Sequence, residues 1–149
     1  MILGGGMSVS YVHLPPEAQL PLIGEAGPFR AVIVLEQAVA DDWQSRVSEW
    51  LVKSGCLYMM AWGVECSSWD DSVDWANLSV VDLEDIPDDR FVMTTWHDNE
   101  PLTETFWFAG FTAHHPTVPL EQVAIIDIGP TNRESEMLQA YEAAQTMSV

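Results

Sequence analysis

Positive charge is what this chain has least of. Five lysines and arginines stand against 23 aspartates and glutamates, a formal net charge of −18 over 149 residues. A field of that sign repels phosphate backbones and anionic headgroups, so neither direct nucleic-acid binding nor attachment to an acidic membrane is expected. It favours encounter with a basic protein, through steering that salt weakens. Cysteine is scarce too. Cys56 and Cys66 bracket "CLYMMAWG", and a strand rising about 3.3 Å per residue holds them too far apart to bond. No run approaches the roughly 20 apolar residues that span a bilayer. The opening "MILGGGMSVSYVHLPP" lacks the basic start and apolar centre of a secretory signal. A cytoplasmic protein is expected, with Met7 after "GGG" as a second candidate start.

Nucleotide-binding signatures are missing as well. There is neither G-x-G-x-x-G nor G-x-x-x-x-G-K-[ST], and no base near the expected strand ends before Arg133. Gly129–Asn132 offers at most helix-terminal amides to one anion, so no cofactor is expected. What the chain does hold is apolar: 48% hydrophobic residues and seven tryptophans, enough for the core of one folded domain.

That core has a legible order. "RAVIVLE" (30–36), "CLYMMAWG" (56–63), "RFVMTTWH" (90–97) and "VAIIDIG" (123–129) read as strands. All but the third are continuously apolar, as in strands covered on both faces. Between the first two lies a helix with Trp43, Val47, Trp50 and Leu51 on one stripe, Asp41 or Asp42 as its cap and Gly55 as its stop. A helix capped by Asp98 or Asn99 runs from Pro101 to His114 and His115, and another follows Thr131 or Asn132, carrying Met137, Leu138 and Tyr141. Residues 78–89 read as a short extended segment and an acidic turn. The order predicts a three-layer α/β/α domain over 29–149, with a mainly parallel sheet of four to five strands. Residues 1–28 are expected to form a partly irregular N-terminal extension.

In such sheets ligands collect beyond the carboxyl ends of the strands. Those ends gather Glu36 and Gln37; then Glu65, Cys66, Ser67, Ser68, Asp70 and Asp71; then His97, Asp98 and Asn99; then Asp127, Thr131 and Asn132. Three uses of this rim follow. Cys66 or Ser67 could attack with His97 as base and Asp98 or Asp127 as orienter, the parts of a small hydrolase or transferase. Their spacing matches no known signature, and a thiolate is poorly served by so negative an edge. Asp70, Asp71 and Asp74, with Glu36 or Asp98, could hold a hard cation, but "WDDSVDW" lacks the glycine and glutamate of a calcium loop. Zinc on Cys66, His97 and His114 or His115 lacks paired spacing. Ser68 or Asp70 opening a short helix accounts for the same residues better, and no metal is expected.

The third use needs no chemistry. From Glu65 to Glu104 twelve carboxylates stand against Arg90 alone, a net of −11, with Trp69, Trp75 and Trp96 among them. Aromatic anchors among charges of one sign suit a steered interface. Trp43, Trp50 and Trp62 are assigned to the core, and Trp69 and Trp75 are expected to be partly exposed. The leading expectation is therefore a non-catalytic, inhibitor- or immunity-like module that binds a basic protein through Trp69, Asp70, Asp71, Asp74 and Trp75. A homo-oligomer joined through "FWFAGF" is a further reading.

The strings "SEWLVKSGCLYMMAWG", "CSSWDDSVDWAN" and "FVMTTWHDNEPL" resemble a family of small acidic bacterial proteins described only as a domain of unknown function, over about residues 30–128. The resemblance implies no activity and carries no residue roles. In size, acidity and aromatic content the chain is also loosely similar to barstar-type immunity proteins, by analogy alone.

Overall fold

The computed structural model describes residues 2–3, 7–82 and 85–147. Its elements run β1 (Ile2–Leu3), β2 (Met7–Leu14), β3 (Phe29–Leu35), α1 (Asp41–Ser54), β4 (Cys56–Gly63) and α2 (Ser67–Val81). They continue with a 3₁₀ turn (Asp88–Arg90), β5 (Met93–His97), α3 (Leu102–Phe111), β6 (Gln122–Ile128) and α4 (Glu134–Gln145). The sheet order is β1-β2-β6-β3-β4-β5, and every pairing is parallel except β1 with β2. Helices α1 and α2 pack together on one face, α3 and α4 on the other. The fold is the expected three-layer α/β/α domain, with five parallel strands and a two-residue antiparallel addition.

Burial explains the strands. All seven residues of β3 are out of solvent, and β6 is buried from Val123 to Ile128, because these strands lie inside the sheet with helices over both faces. Helix α1 lays Trp43, Val47 and Leu51 on the sheet and ends at Gly55. Gly55 has φ 102°, and its N–H reaches the Leu51 and Val52 carbonyls, a left-handed stop that favours glycine. At Gly63, φ 109°, a side chain would run into the Leu35 carbonyl. The chain leaves β4 there, tight against β3, to start α2.

Four expectations are corrected. Residues 7–14, read as part of an extension, form β2, paired along its length with β6. Their mixed exposure follows from a place near the sheet margin, which weakens the apolar signal. Residues 15–28 carry no helix or strand. Residues 78–81, read as extended, are the last turn of α2, because Val81 continues the buried stripe of Trp69, Val73 and Ala76. Residues 83 and 84 of the acidic turn lie outside the described residues. The expected caps also move: α1 follows Ala40, α3 follows Pro101 and α4 follows Arg133, while the Asn132 side chain accepts the Glu134 N–H. Trp43 is core, whereas Trp50 and Trp62 are half-buried and donate their indole N–H groups to the Pro21 and Glu100 carbonyls. Both cysteines are buried and unbonded. Among the described residues no helix is long and apolar enough to cross a membrane.

Candidate functional site

Helix α2 has two faces. Trp69, Val73, Ala76, Asn77 and Val81, spaced at i, i+4, i+7, i+8 and i+12, point inward and are buried. Trp69 is 2% exposed, so its expected partial exposure is corrected: it shares the inward stripe with Val73. Trp75 points away from that stripe and is 72% exposed, as expected. Asp71 and Asp74 are exposed and Asp70 half-exposed, and carboxylate oxygens of all three lie within 4.8 Å of one another. Leu78 continues this outer face.

The acidic face is tied to β5. The Thr94 hydroxyl reaches the carboxylates of Asp70 and, at 3.2 Å, Asp74. Inside the same helix the Asn77 amide donates to the Arg90 carbonyl at 3.0 Å, and its oxygen accepts the Val92 N–H at 2.9 Å. Asn77 thus fixes the approach of the chain to β5. Beside it opens a groove of about 350 Å³, lined by Asp74, Leu78, Phe91, Met93 and Thr94 among others. Phe91 and Trp96, at either end of this stretch, are exposed. Partial burial, then the neighbouring Asp70 and Asp71, push the Asp74 carboxyl above its ordinary range, and the Thr94 hydrogen bond opposes the shift. Three carboxylates so close could take a hard cation, but Asp70, Asp71 and Asp74 are also what a lysine or arginine would meet.

The proposed nucleophile parts sit at the same rim but are wired otherwise. His97 is buried, with Nδ1 3.1 Å from Glu100, Nε2 2.9 Å from the Thr95 hydroxyl, and its ring edge-on to Phe108 of α3 at 4.8 Å. Both nitrogens are engaged, on the α3 side of the sheet. Cys66 opens α2 on the other side and is 2% exposed. Burial pushes its thiol up, Asp98 adds to this, and the nearby His97 backbone N–H opposes it. Ser67 and Asp98 are exposed. Among the described residues no hydrogen bond joins the His97 imidazole to Cys66, Ser67 or Asp98. His115 is likewise engaged, capping a turn: its Nδ1 accepts the Thr117 and Val118 N–H groups and its Nε2 meets the Phe91 carbonyl at 2.7 Å. Exposed His114 contacts the Phe111 carbonyl. Neither joins Cys66 and His97 in a ligand cluster among the described residues. In "FWFAGF", Phe106 is core and Phe111 is exposed.

A second polar centre was missed by sequence reasoning. Asp127, fully buried at the end of β6, receives two bonds from the Arg133 guanidinium, at 2.7 and 3.1 Å, and one from the Tyr11 hydroxyl at 2.6 Å. Arg133 also pairs with Glu36 at 3.1 Å, and its N–H donates to Tyr11. Burial and the Asp127 carboxylate push the Tyr11 phenol up to about 12. His13 contacts the Gly129 carbonyl at 2.8 Å. This knot occupies the rim where β3 and β6 send their helices to opposite faces. The alternating "SVSYVHL" was the signal for β2 and hence for Tyr11 and His13. A cavity of about 640 Å³ lies instead at the amino ends of the strands, where Lys53 and Arg90 stand among Val52, Leu57, Val81 and Val92.

What these elements define is an α/β domain whose exposed chemistry is carboxylate and aromatic. The chain belongs to the family described as "Domain of unknown function (DUF7684)", which matches residues 9–144. The match takes in most of β2 and of α4, beyond the 30–128 span of the resemblance. No curated protein and no solved structure matches the chain.

Proposed function

We propose that the protein is a non-catalytic module that binds a basic protein partner through the outer face of α2 and the adjoining β5. One observation carries the reading: exposed Trp75, Leu78, Phe91 and Trp96 share that face with Asp70, Asp71 and Asp74. Exposed aromatics supply contact area, and unpaired charge of one sign supplies steering and choice of partner. Relative to the expected contact set, Trp69 drops out, because it is core, and Trp96 enters. Masking the working surface of a basic protein, as an inhibitor or immunity protein does, suits such a face.

The test is capture of partners from the source cells, followed by titration of the purified partner. Binding should weaken at least about tenfold between roughly 0.05 and 0.3 M salt, as surface electrostatics are screened. Asp70→Ala with Asp71→Ala should weaken it as well. Binding indifferent to both salt and the double substitution overturns the proposal.

A further inference from the structure

We infer that the outer edge of β5 receives an extended basic segment of the partner as an added strand, an inference that rests on the acidic-face reading above and gives it a geometry. The two margins of the sheet differ. At one, β1 lies along the start of β2. At the other, β5 pairs with β4 alone, and among the described residues no backbone hydrogen bond outside the ladder reaches Met93–His97. A strand offers backbone groups to both sides, so this margin leaves a row of N–H and C=O groups without a partner strand.

Natural edges are usually blunted by lysine, proline, a bulge or a covering element. "MTTWH" has neither lysine nor proline, and its register with β4 is unbroken. Threonine and tryptophan are good strand formers, so the edge is a ready template. What guards it is charge. A second copy of the chain pairing here would bring two stretches of net −11 together, and such like-charge contact selects against self-pairing. A basic strand meets no such barrier. Its alternate side chains, about 7 Å apart on one face, would pass over Thr94 toward Asp70 and Asp74 and toward the groove at Leu78 and Phe91. The geometry selects an extended segment with lysine or arginine at every second position, held by main-chain bonds and chosen by alternate side chains.

Two synthetic peptides separate this inference from the reading beneath it: eight residues of alternating lysine and valine, and eight of alternating lysine and proline. They carry equal charge, but the second holds polyproline II and cannot form a full ladder. Binding is followed by amide exchange and by salt-dependent titration. The lysine–valine peptide should bind at least about tenfold tighter and slow exchange within Met93–His97. Equal binding, with β5 exchange unchanged, overturns strand addition and leaves the acidic face standing. Binding by neither peptide overturns both. A homodimer in sedimentation that protects the same β5 amides without peptide also overturns the inference, in favour of a second copy.

Discussion

The rim at β6 and the face of α2 use the same side chains to opposite ends. Around Asp127 every charge is answered: a fully buried carboxylate, an arginine bound through two nitrogens, a tyrosine hydroxyl and a second carboxylate on the far side of the guanidinium. Around Asp74, among the described residues, the carboxylates have only a threonine hydroxyl and one another. A buried charge left without a partner is strongly destabilising, so the first centre must be complete in the folded chain itself. An exposed cluster is stable incomplete, because water screens it. The contrast fits a structural role at the first centre and, on the proposed reading, a partner-binding role at the second. Substitutions should separate them.

The largest effect should come from Arg133→Met. It removes the partner from a carboxylate that has no contact with solvent, and breaking such a pair costs ~3–5 kcal/mol. The urea midpoint should fall with an unchanged slope, and adding Asp127→Leu should recover most of the loss. A cost below ~1 kcal/mol would show that Asp127 is content with Tyr11, and the contrast between the two centres would lose one side.

Next comes Asn77→Ala. It leaves the Val92 N–H and the Arg90 carbonyl without their side-chain partner beside a buried helix stripe, a loss of ~1–3 kcal/mol. Because Asn77 holds the entry to β5, amide exchange should accelerate in Met93–His97 more than in β3. Uniform acceleration would mean that α2 and β5 are not locally coupled.

Charge in the acidic face gives a smaller effect with a definite sign. The folded Asp74 carboxyl is held above its unfolded value, first by burial and then by Asp70 and Asp71. The folded state therefore binds that proton more readily. Its stabilisation is complete below the unfolded carboxyl range and is lost as pH rises through the folded value. Asp74→Asn should raise the melting temperature at neutral pH and flatten the pH profile across the carboxyl range. A lower melting temperature at neutral pH would show that the Thr94 hydrogen bond outweighs the repulsion. A basic partner should bind the ionised face more tightly, so affinity should climb over the same interval.

Local signals explain what the sequence made legible. Continuous apolar runs named β3, β4 and β6, and the Trp43–Val47–Leu51 stripe with Gly55 named α1. Strand direction alone put the α2 entrance and His97 at one rim, since parallel strands share their carboxyl ends. Partnership was not legible. Tyr11 and Asp127 are 116 positions apart, and no local pattern announces their bond or the one between Arg133 and Glu36. Helix α2 outran its reading because Val80 and Val81 favour strands by propensity, while packing of Val81 holds them helical. Trp69 is core despite its acidic neighbours, because charged flanking residues do not fix which way a helical side chain points. On a helix, residues 69 and 75 point about 120° apart, and 75 falls opposite the middle of the buried stripe.

Trp75 is where the comparison is sharpest, because its substitution should do least to the fold. At 72% exposed, with no hydrogen bond from its indole among the described residues, it contributes little to the folded chain, and surface replacements of this kind stay within about 0.5 kcal/mol. Trp75→Ala should leave the urea midpoint where it is. Removing an exposed aromatic anchor from an interface costs binding about 2 kcal/mol or more, roughly thirtyfold in affinity. The same replacement at Trp69 should unfold the helix end through ~3–5 kcal/mol of lost packing. Trp75→Ala that weakens folding but spares partner binding would reverse the roles assigned to the two tryptophans and with them the outward face of α2.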